Sequence, residues 1–440
     1  MKKLLIITYY WPPSGGAAVQ RWLSFANKLT EKNYEIHILT VDEAYATFQL
    51  RDKSLVGYVH PAITVHKTKT LEPFGIFTLL FGKKSIPKPA FANETSPSLL
   101  KKAFRFLRGN LFIPDPRKGW KPFAIKKAVS IIQKEQIDCI ITAGPPHSTH
   151  FIGKELKSKF KLRWIADFHD LWTDVIYYEM LYHLPAVKRI DAGLERAILE
   201  SADVVLTVGN KYKEKLLSKS DKLAPEKVKV VRIGYDEKLF ELHPEIVAQE
   251  KFIITYTGTI ANFYHPETFI RCLKTVAERF DQVPLLLRFV GVLSDEIKVQ
   301  IIKAGLSNLL EDYGYVSHKK SVEFLKKSTI LLLVNPVTKN EEMVIPGKIY
   351  EYLAAGKPIV NIAKAGSETE SIITACCAGK TFDRTEEEAL EGYLTELITE
   401  WQQNHKVKSS DNGHLILQYS TEKIVDYLIS IIENSKNQFI

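Results

Sequence analysis

The segment VIPGKIYEYLAAGKPIVNIAKAGSETES, Val344–Ser371, decides how this chain is read. Pro346-Gly347 closes a loop and a short helix follows. Gly356-Lys357-Pro358 ends that helix, and PIVNI continues as a strand. Loop, helix and buried strand in that order form part of a βαβ unit. Lys348 and Glu351 lie one helical turn apart, while Ile349, Tyr352 and Leu353 take the packing face. Lys348 would set positive charge beside a pyrophosphate, and Glu351 offers a carboxylate to paired ribose hydroxyls. A surface Lys–Glu pair, worth about 0.2–0.5 kcal/mol, has the same spacing, which does not choose between cleft and water.

Working outward, short apolar runs alternate with amphipathic stretches along most of the chain. Strands are expected at Leu4–Thr8, Glu35–Thr40, Ile137–Thr142, Arg163–Asp167, Asp203–Val208 and Lys229–Ile233. They resume at Phe252–Thr257, Leu285–Val290, Thr329–Val334 and Pro358–Ile362. Runs such as LLLRFV and ILLLV lack polar alternation, as parallel strands covered on both faces do. Helical patterns at Val19–Lys32, Pro266–Arg279 and Ser317–Lys327 fall between them. The expectation is an α/β chain of doubly wound parallel sheets.

The polar stretch Tyr235–Glu250 breaks the pattern. It separates an N-terminal domain, residues 1–235, from a C-terminal one, residues 236–420. Residues 421–440 open with an amphipathic helix that can return to the first domain. Residues 73–122 fit neither sheet: they mix aromatics, prolines, lysines and arginines. A helix over Leu99–Phe112 would put Leu100, Phe104, Leu107 and Leu111 on one face, with Lys101, Lys102, Arg105 and Arg108 nearby. Such a helix suits an anionic bilayer surface, or a packed insertion with a solvated basic edge.

With 440 residues, 45% hydrophobic and 25% charged, the composition is that of a globular protein. The net charge of +9 favours an anionic partner. No nucleic-acid module signature is present, so a phosphate-bearing substrate or a membrane surface leads. The run Leu4–Ile7 is too short for a signal peptide, and no stretch approaches the roughly 18 apolar residues of a spanning helix. A cytoplasmic location is expected. Cys139, Cys272, Cys376 and Cys377 form no metal-binding or redox spacing and read as buried thiols.

Two further segments carry polar chemistry. TYYWPPSGGAAVQRW follows the first strand, and Gly15-Gly16 lets the backbone approach a ligand before a helix starts near Ala17. Its spacing is neither a dinucleotide fingerprint nor a Walker loop, and a bare Gly-Gly turn has the same form. IADFHDLWTD, Ile165–Asp174, places Asp167, His169 and Asp170 at the end of a parallel strand, the edge where open sheets bind ligands. His169 can orient a hydroxyl or exchange a proton, with Asp170 fixing its tautomer. A surface loop with a capping Asp is the plainer alternative.

The order of these segments resembles glycosyltransferase family 4, a group of retaining GT-B enzymes, over nearly the whole chain. EYLAAGKPIV is similar to the family's E-x-x-A-x-G-x-P signature, and YTGTI, Tyr256–Ile260, opens the second domain as in the family. The resemblance implies two Rossmann-like domains facing each other across an interdomain cleft. It implies that Glu351 binds donor ribose, that Gly15 and Gly16 approach the donor phosphate, and that His169 lies near the sugar. Two departures stand out. Many members carry a second glutamate eight residues before the first, where this chain has Met343 beside Glu341 and Glu342. Backbone N–H groups near Val344–Gly347 would take over part of its role. Many members also follow the second-domain glycine with Arg and Lys, where Gly258-Thr259 and His265-Pro266 stand here. Lys348 and Arg21 are the candidates for the missing charge.

The resemblance thus implies transfer of a sugar from a UDP- or GDP-linked donor to a glycan or lipid-linked acceptor. Catalytic candidates are His169 and Asp170. Donor-binding candidates are Gly15, Gly16, Arg21, Gly258, Thr259, Gly347, Lys348 and Glu351. Neither a metal nor another cofactor is expected. A UDP-N-acetylhexosamine 2-epimerase and an inactive nucleotide-binding scaffold are the alternatives that share the fold.

Overall fold

The computed structural model describes residues 2–48, 50–72, 99–175, 177–241, 250–407 and 412–434. The chain divides into two compact units, residues 1–232 with 425–440, and residues 233–424. Most of the basic aromatic stretch, residues 73–98, lies outside the described residues.

In the first unit the described strands are β1 (Lys2–Thr8), β2 (Tyr34–Val41), β3 (Thr64–Thr68), β4 (Cys139–Gly144), β5 (Arg163–Phe168), β6 (Val204–Thr207) and β7 (Val228–Val230). They form one sheet in the order β3-β2-β1-β4-β5-β6-β7, and every neighbouring pair is parallel. Leu4, Leu5, Ile6 and Ile7 are all buried, because helices cover both faces of a parallel sheet. The strand order reverses between β1 and β4, which opens a crevice at their C-terminal ends.

The second unit repeats this plan with β8 (Phe252–Ile260), β9 (Leu285–Leu293), β10 (Leu310–Asp312), β11 (Ile330–Val334), β12 (Ile359–Ile362) and β13 (Gly379–Phe382). Their order is β10-β9-β8-β11-β12-β13, again with parallel neighbours and a reversal, here between β8 and β11. The pleat explains the apolar run of β11. Ile330, Leu332 and Val334 enter one core with Phe252 and Ile254, while Leu331 and Leu333 enter another with Ile349, Tyr352 and Leu353. A residue that is buried whichever way it points must be apolar.

The helix Thr421–Glu433 contributes to the first unit from Val425 onward. Val425 and Leu428 are fully buried. Tyr34 Oη donates to Glu433 at 2.8 Å, and Lys32 meets Asp426 at 2.7 Å.

Helix Leu99–Leu111 forms as expected, but its faces differ from the sequence reading. Arg105 turns inward and is buried, whereas Phe106, Leu107 and Leu111 are exposed. Gly109 sets this packing, since a Cβ there would stand 2.5 Å from Leu181 O. The thiols also differ from expectation at one position: Cys377 is exposed, and the other three are buried.

Candidate active site

In the first unit the loop after β1 is tied down before the helix Ala17–Glu31 begins. Gly15 N donates to Leu50 O at 3.1 Å and Asp52 N to Pro13 O at 2.8 Å. Gly16 has φ 114°, a conformation in which a side chain would be strained, and it precedes the helix directly. A cavity of about 440 Å³ opens beside this loop. Gly15 and Gly16, His147, and His169 and Asp170 all line it, so three separated stretches meet at the C-terminal edge of the sheet.

Asp167, the last residue but one of β5, points the other way. It is fully buried and accepts from Arg21 Nη1 at 2.6 Å and from Trp22 Nε1 at 2.7 Å. Arg21 also donates to Val231 O at 2.8 Å. The sequence reading of Arg21 as a free phosphate ligand is therefore corrected. Its guanidinium is buried and neutralised by Asp167, and it joins the helix to β5 and the residue after β7.

Its charge is still felt at His169. Burial first, then the nearby Arg21 guanidinium, pushes the imidazole down to about 3, so the ring is neutral. Among the described residues His169 Nδ1 has no hydrogen-bond partner, so the expected Asp170 contact that would fix its tautomer is not made there. The Asp170 carboxyl is raised to about 6, by burial and then by the charge of Asp167. His147 stacks on Trp172 at 5.1 Å and is held neutral by burial, which lowers it to about 3. The cavity thus offers neutral imidazoles, an aromatic wall and one carboxyl poised near neutrality.

In the second unit the reversal between β8 and β11 brings Gly258 and the helix Lys348–Ala355 together. Gly258 has φ 89°, and a Cβ there would come within 3.1 Å of Lys348 Nζ. Lys348 Nζ donates to Tyr256 Oη at 2.7 Å and stands 3.9 Å above the centre of that ring. Tyr256 Oη in turn donates to Thr259 O at 2.8 Å. Burial lowers the Lys348 ammonium to about 7, with the Glu351 charge opposing. A cation at the edge of losing its proton gains strongly from an anion placed beside it.

One turn on, Glu351 Oε1 accepts from His318 Nε2 at 2.6 Å. The sequence reading missed His318. It starts the helix His318–Lys326 behind a Ser317 cap, and nothing in the sequence links it to a glutamate 33 positions away. Thr259 is exposed, and Gly347 caps the helix Lys348–Ala355. Of the neighbouring N–H groups, that of Val344 is spent on Glu341 O at 3.1 Å. Glu341 accepts from Arg384 Nη1 at 2.6 Å and from Lys364 N at 3.2 Å, so it braces the loop.

Among the described residues Glu35, His37 and Glu135 bring potential metal-ligand atoms within 4.8 Å of one another. The Lys3 ammonium already bridges the two carboxylates, at 2.8 Å from Glu135 and 3.3 Å from Glu35. Lys3 and Glu35 lie at strand starts, the edge of the sheet opposite to ligand crevices.

Residues 87–239 match the family model described as Glycosyltransferase Family 4, and residues 240–411 the one described as Glycosyl transferases group 1. No curated protein matches the sequence. Among solved structures, a glycosyltransferase from Rickettsia africae ESF-5 superposes with a TM-score of 0.66 at 14% identity, covering 100% of both chains. Anabaena HepE in complex with UDP gives 0.63 at 13% identity, over 99% of this chain and 100% of that one. Sucrose-phosphate synthase from Thermosynechococcus elongatus gives 0.60 at 13% identity, over 99% of each chain. At such identities the structural likeness establishes the fold, and the family models carry the rest. With those two models running in succession through both units, the chain belongs to the GT-B glycosyltransferases of family 4 and group 1.

Proposed function

We propose that the protein moves a hexose from a nucleoside diphosphate sugar to an acceptor hydroxyl, with retention of anomeric configuration. The observation that carries this reading is the Lys348 ammonium poised over Gly258, one turn from the Glu351 carboxylate. That pairing suits a diphosphate beside a ribose. The UDP bound by the HepE structure supports a uridine donor. Lys348 and nearby backbone N–H groups would stabilise the charge that develops on the departing diphosphate, so the reaction calls for no metal. His169, neutral and with no partner at Nδ1 among the described residues, would position a sugar hydroxyl. Asp170 would accept from the acceptor hydroxyl, with the donor phosphate assisting deprotonation on the same face.

The acceptor we propose is a glycan or lipid-linked sugar of cell-surface polysaccharide assembly, met at an anionic membrane surface. Exposed Lys101 and Lys102 beside exposed Phe106, Leu107 and Leu111 support that setting.

The test is acceptor-dependent release of UDP or GDP from UDP- and GDP-hexoses, with the product anomer read by NMR. Transfer with inverted configuration would overturn the retaining mechanism. Conversion of the sugar without any acceptor would favour the epimerase, and no turnover of any donor the inactive scaffold.

A further inference from the structure

We propose that His318 holds Glu351 in one orientation and thereby makes the second unit selective for an intact ribose diol. The inference rests on the reading of helix Lys348–Ala355 as the nucleotide site.

The two side chains come from different helices whose backbones are fixed against each other. Val322 and Leu325 of helix His318–Lys326 share one core with Ile349, Tyr352 and Leu353 of helix Lys348–Ala355. That packing sets His318 Nε2 at 2.6 Å from Glu351 Oε1. The bond to Glu351, opposed by burial and helped by the charge of Asp236, raises the imidazole above its ordinary range. The ring is therefore a charged donor over a wider pH range than a free histidine.

The pair is also open to a ligand: the Glu351 side chain keeps 24% of its exposure and that of His318 46%. A carboxylate has about four lone-pair sites, and the imidazole takes one of them on Oε1. Oε2 is left for a pair of vicinal hydroxyls. A glutamate without a partner would lose its rotamer freedom when it bound a diol, whereas one already held by His318 has little left to lose. A fixed acceptor also discriminates. A ligand lacking the 2′-hydroxyl leaves a carboxylate oxygen unpaired beside a sheltered site, and the loss appears as selectivity. An exposed ion pair of purely structural use would show no such dependence on the ligand's sugar.

The experiment compares the dissociation constants of UDP and 2′-deoxy-UDP for the full chain, or of the GDP pair where GDP is the diphosphate that binds. The native protein is expected to favour the ribonucleotide by about tenfold. His318→Ala should weaken ribonucleotide binding about five- to tenfold while barely changing that of the deoxynucleotide. His318→Gln, whose amide nitrogen stands near the place of Nε2, should restore most of the difference. Lys348→Ala should weaken both ligands alike, because the phosphates are common to them. A His318→Ala protein that keeps the native ratio, with binding otherwise intact, overturns the role of His318 and leaves the nucleotide site standing. A native protein that binds neither UDP nor GDP overturns the nucleotide site itself.

Discussion

Lys348 and Asp170 are candidate-site residues whose ionisation the protein has moved toward neutral pH, and each gives a distinct pH signature. The Lys348 ammonium sits at about 7 in the free protein because burial disfavours its charge. A bound diphosphate would restore the proton. Between pH 7 and 9 nucleotide affinity should therefore fall, by about tenfold per unit at most. Below about pH 6 it should fall again as the terminal phosphate protonates. Calorimetric titration of UDP across that range checks this, and Lys348→Arg should flatten the upper limb. Asp170 is raised to about 6 by burial and by Asp167. Above pH 6 it is ionised in both states at a cost of up to about 3 kcal/mol, and below about pH 4 it is protonated in both and the cost vanishes. Asp170→Asn should therefore raise the urea midpoint at pH 8 but not at pH 4, while lowering transfer. A mutant with an unchanged midpoint at pH 8 would show that Asp170 is not strained. Residues of this kind were only partly legible in the sequence. The Lys348–Glu351 spacing announced itself on one helix, whereas the Arg21–Asp167 pair spans 146 positions and His318–Glu351 spans 33. Pairings of that range are made by topology, which no local pattern encodes.

Among the elements, the helix Ala17–Glu31 is held to its sheet by the Arg21–Asp167–Trp22 cluster. Removing one member of a buried ion pair strands the other, which costs about 3–5 kcal/mol. Arg21→Met should show that loss in urea denaturation, and Arg21→Met with Asp167→Leu should recover much of it. An Arg21→Met protein as stable as the native one would contradict this account of the helix. Helix Leu99–Leu111 carries the membrane proposal. Replacing Lys101 and Lys102 with Gln should reduce partitioning onto anionic vesicles at low salt, each charge near the surface being worth about 1 kcal/mol. Unchanged partitioning would refute that surface role.

The strands also show what an apolar pattern reveals. The central ones, such as β1, β8 and β11, are buried on both faces and read directly as apolar runs. The missed strands β3, β10 and β13 are all edges of their sheets. They are short and half-exposed, as in TVHKT of Thr64–Thr68 and LED of Leu310–Asp312, so no apolar run marks them.

Across the whole molecule, a doubly wound plan was legible twice over because each unit builds its own core around its own parallel sheet. The crevice residues follow from that plan. Gly16 and His169 lie at the C-terminal edge of one sheet, and Gly258 with Lys348 at the reversal of the other. Which sugar is carried depends on side chains around these points, whose chemistry the shared fold does not fix. Binding of a nucleoside diphosphate by the second unit through Lys348 and Glu351 underlies the proposed transfer. Thermal melting of the native protein with millimolar UDP, GDP, ADP and CMP, without added metal, tests it most directly. A rise in melting temperature with UDP or GDP that Lys348→Ala removes is expected, since a ligand bound only by the native state stabilises it. No rise with any of the four, or an equal rise in the Lys348→Ala protein, would contradict it.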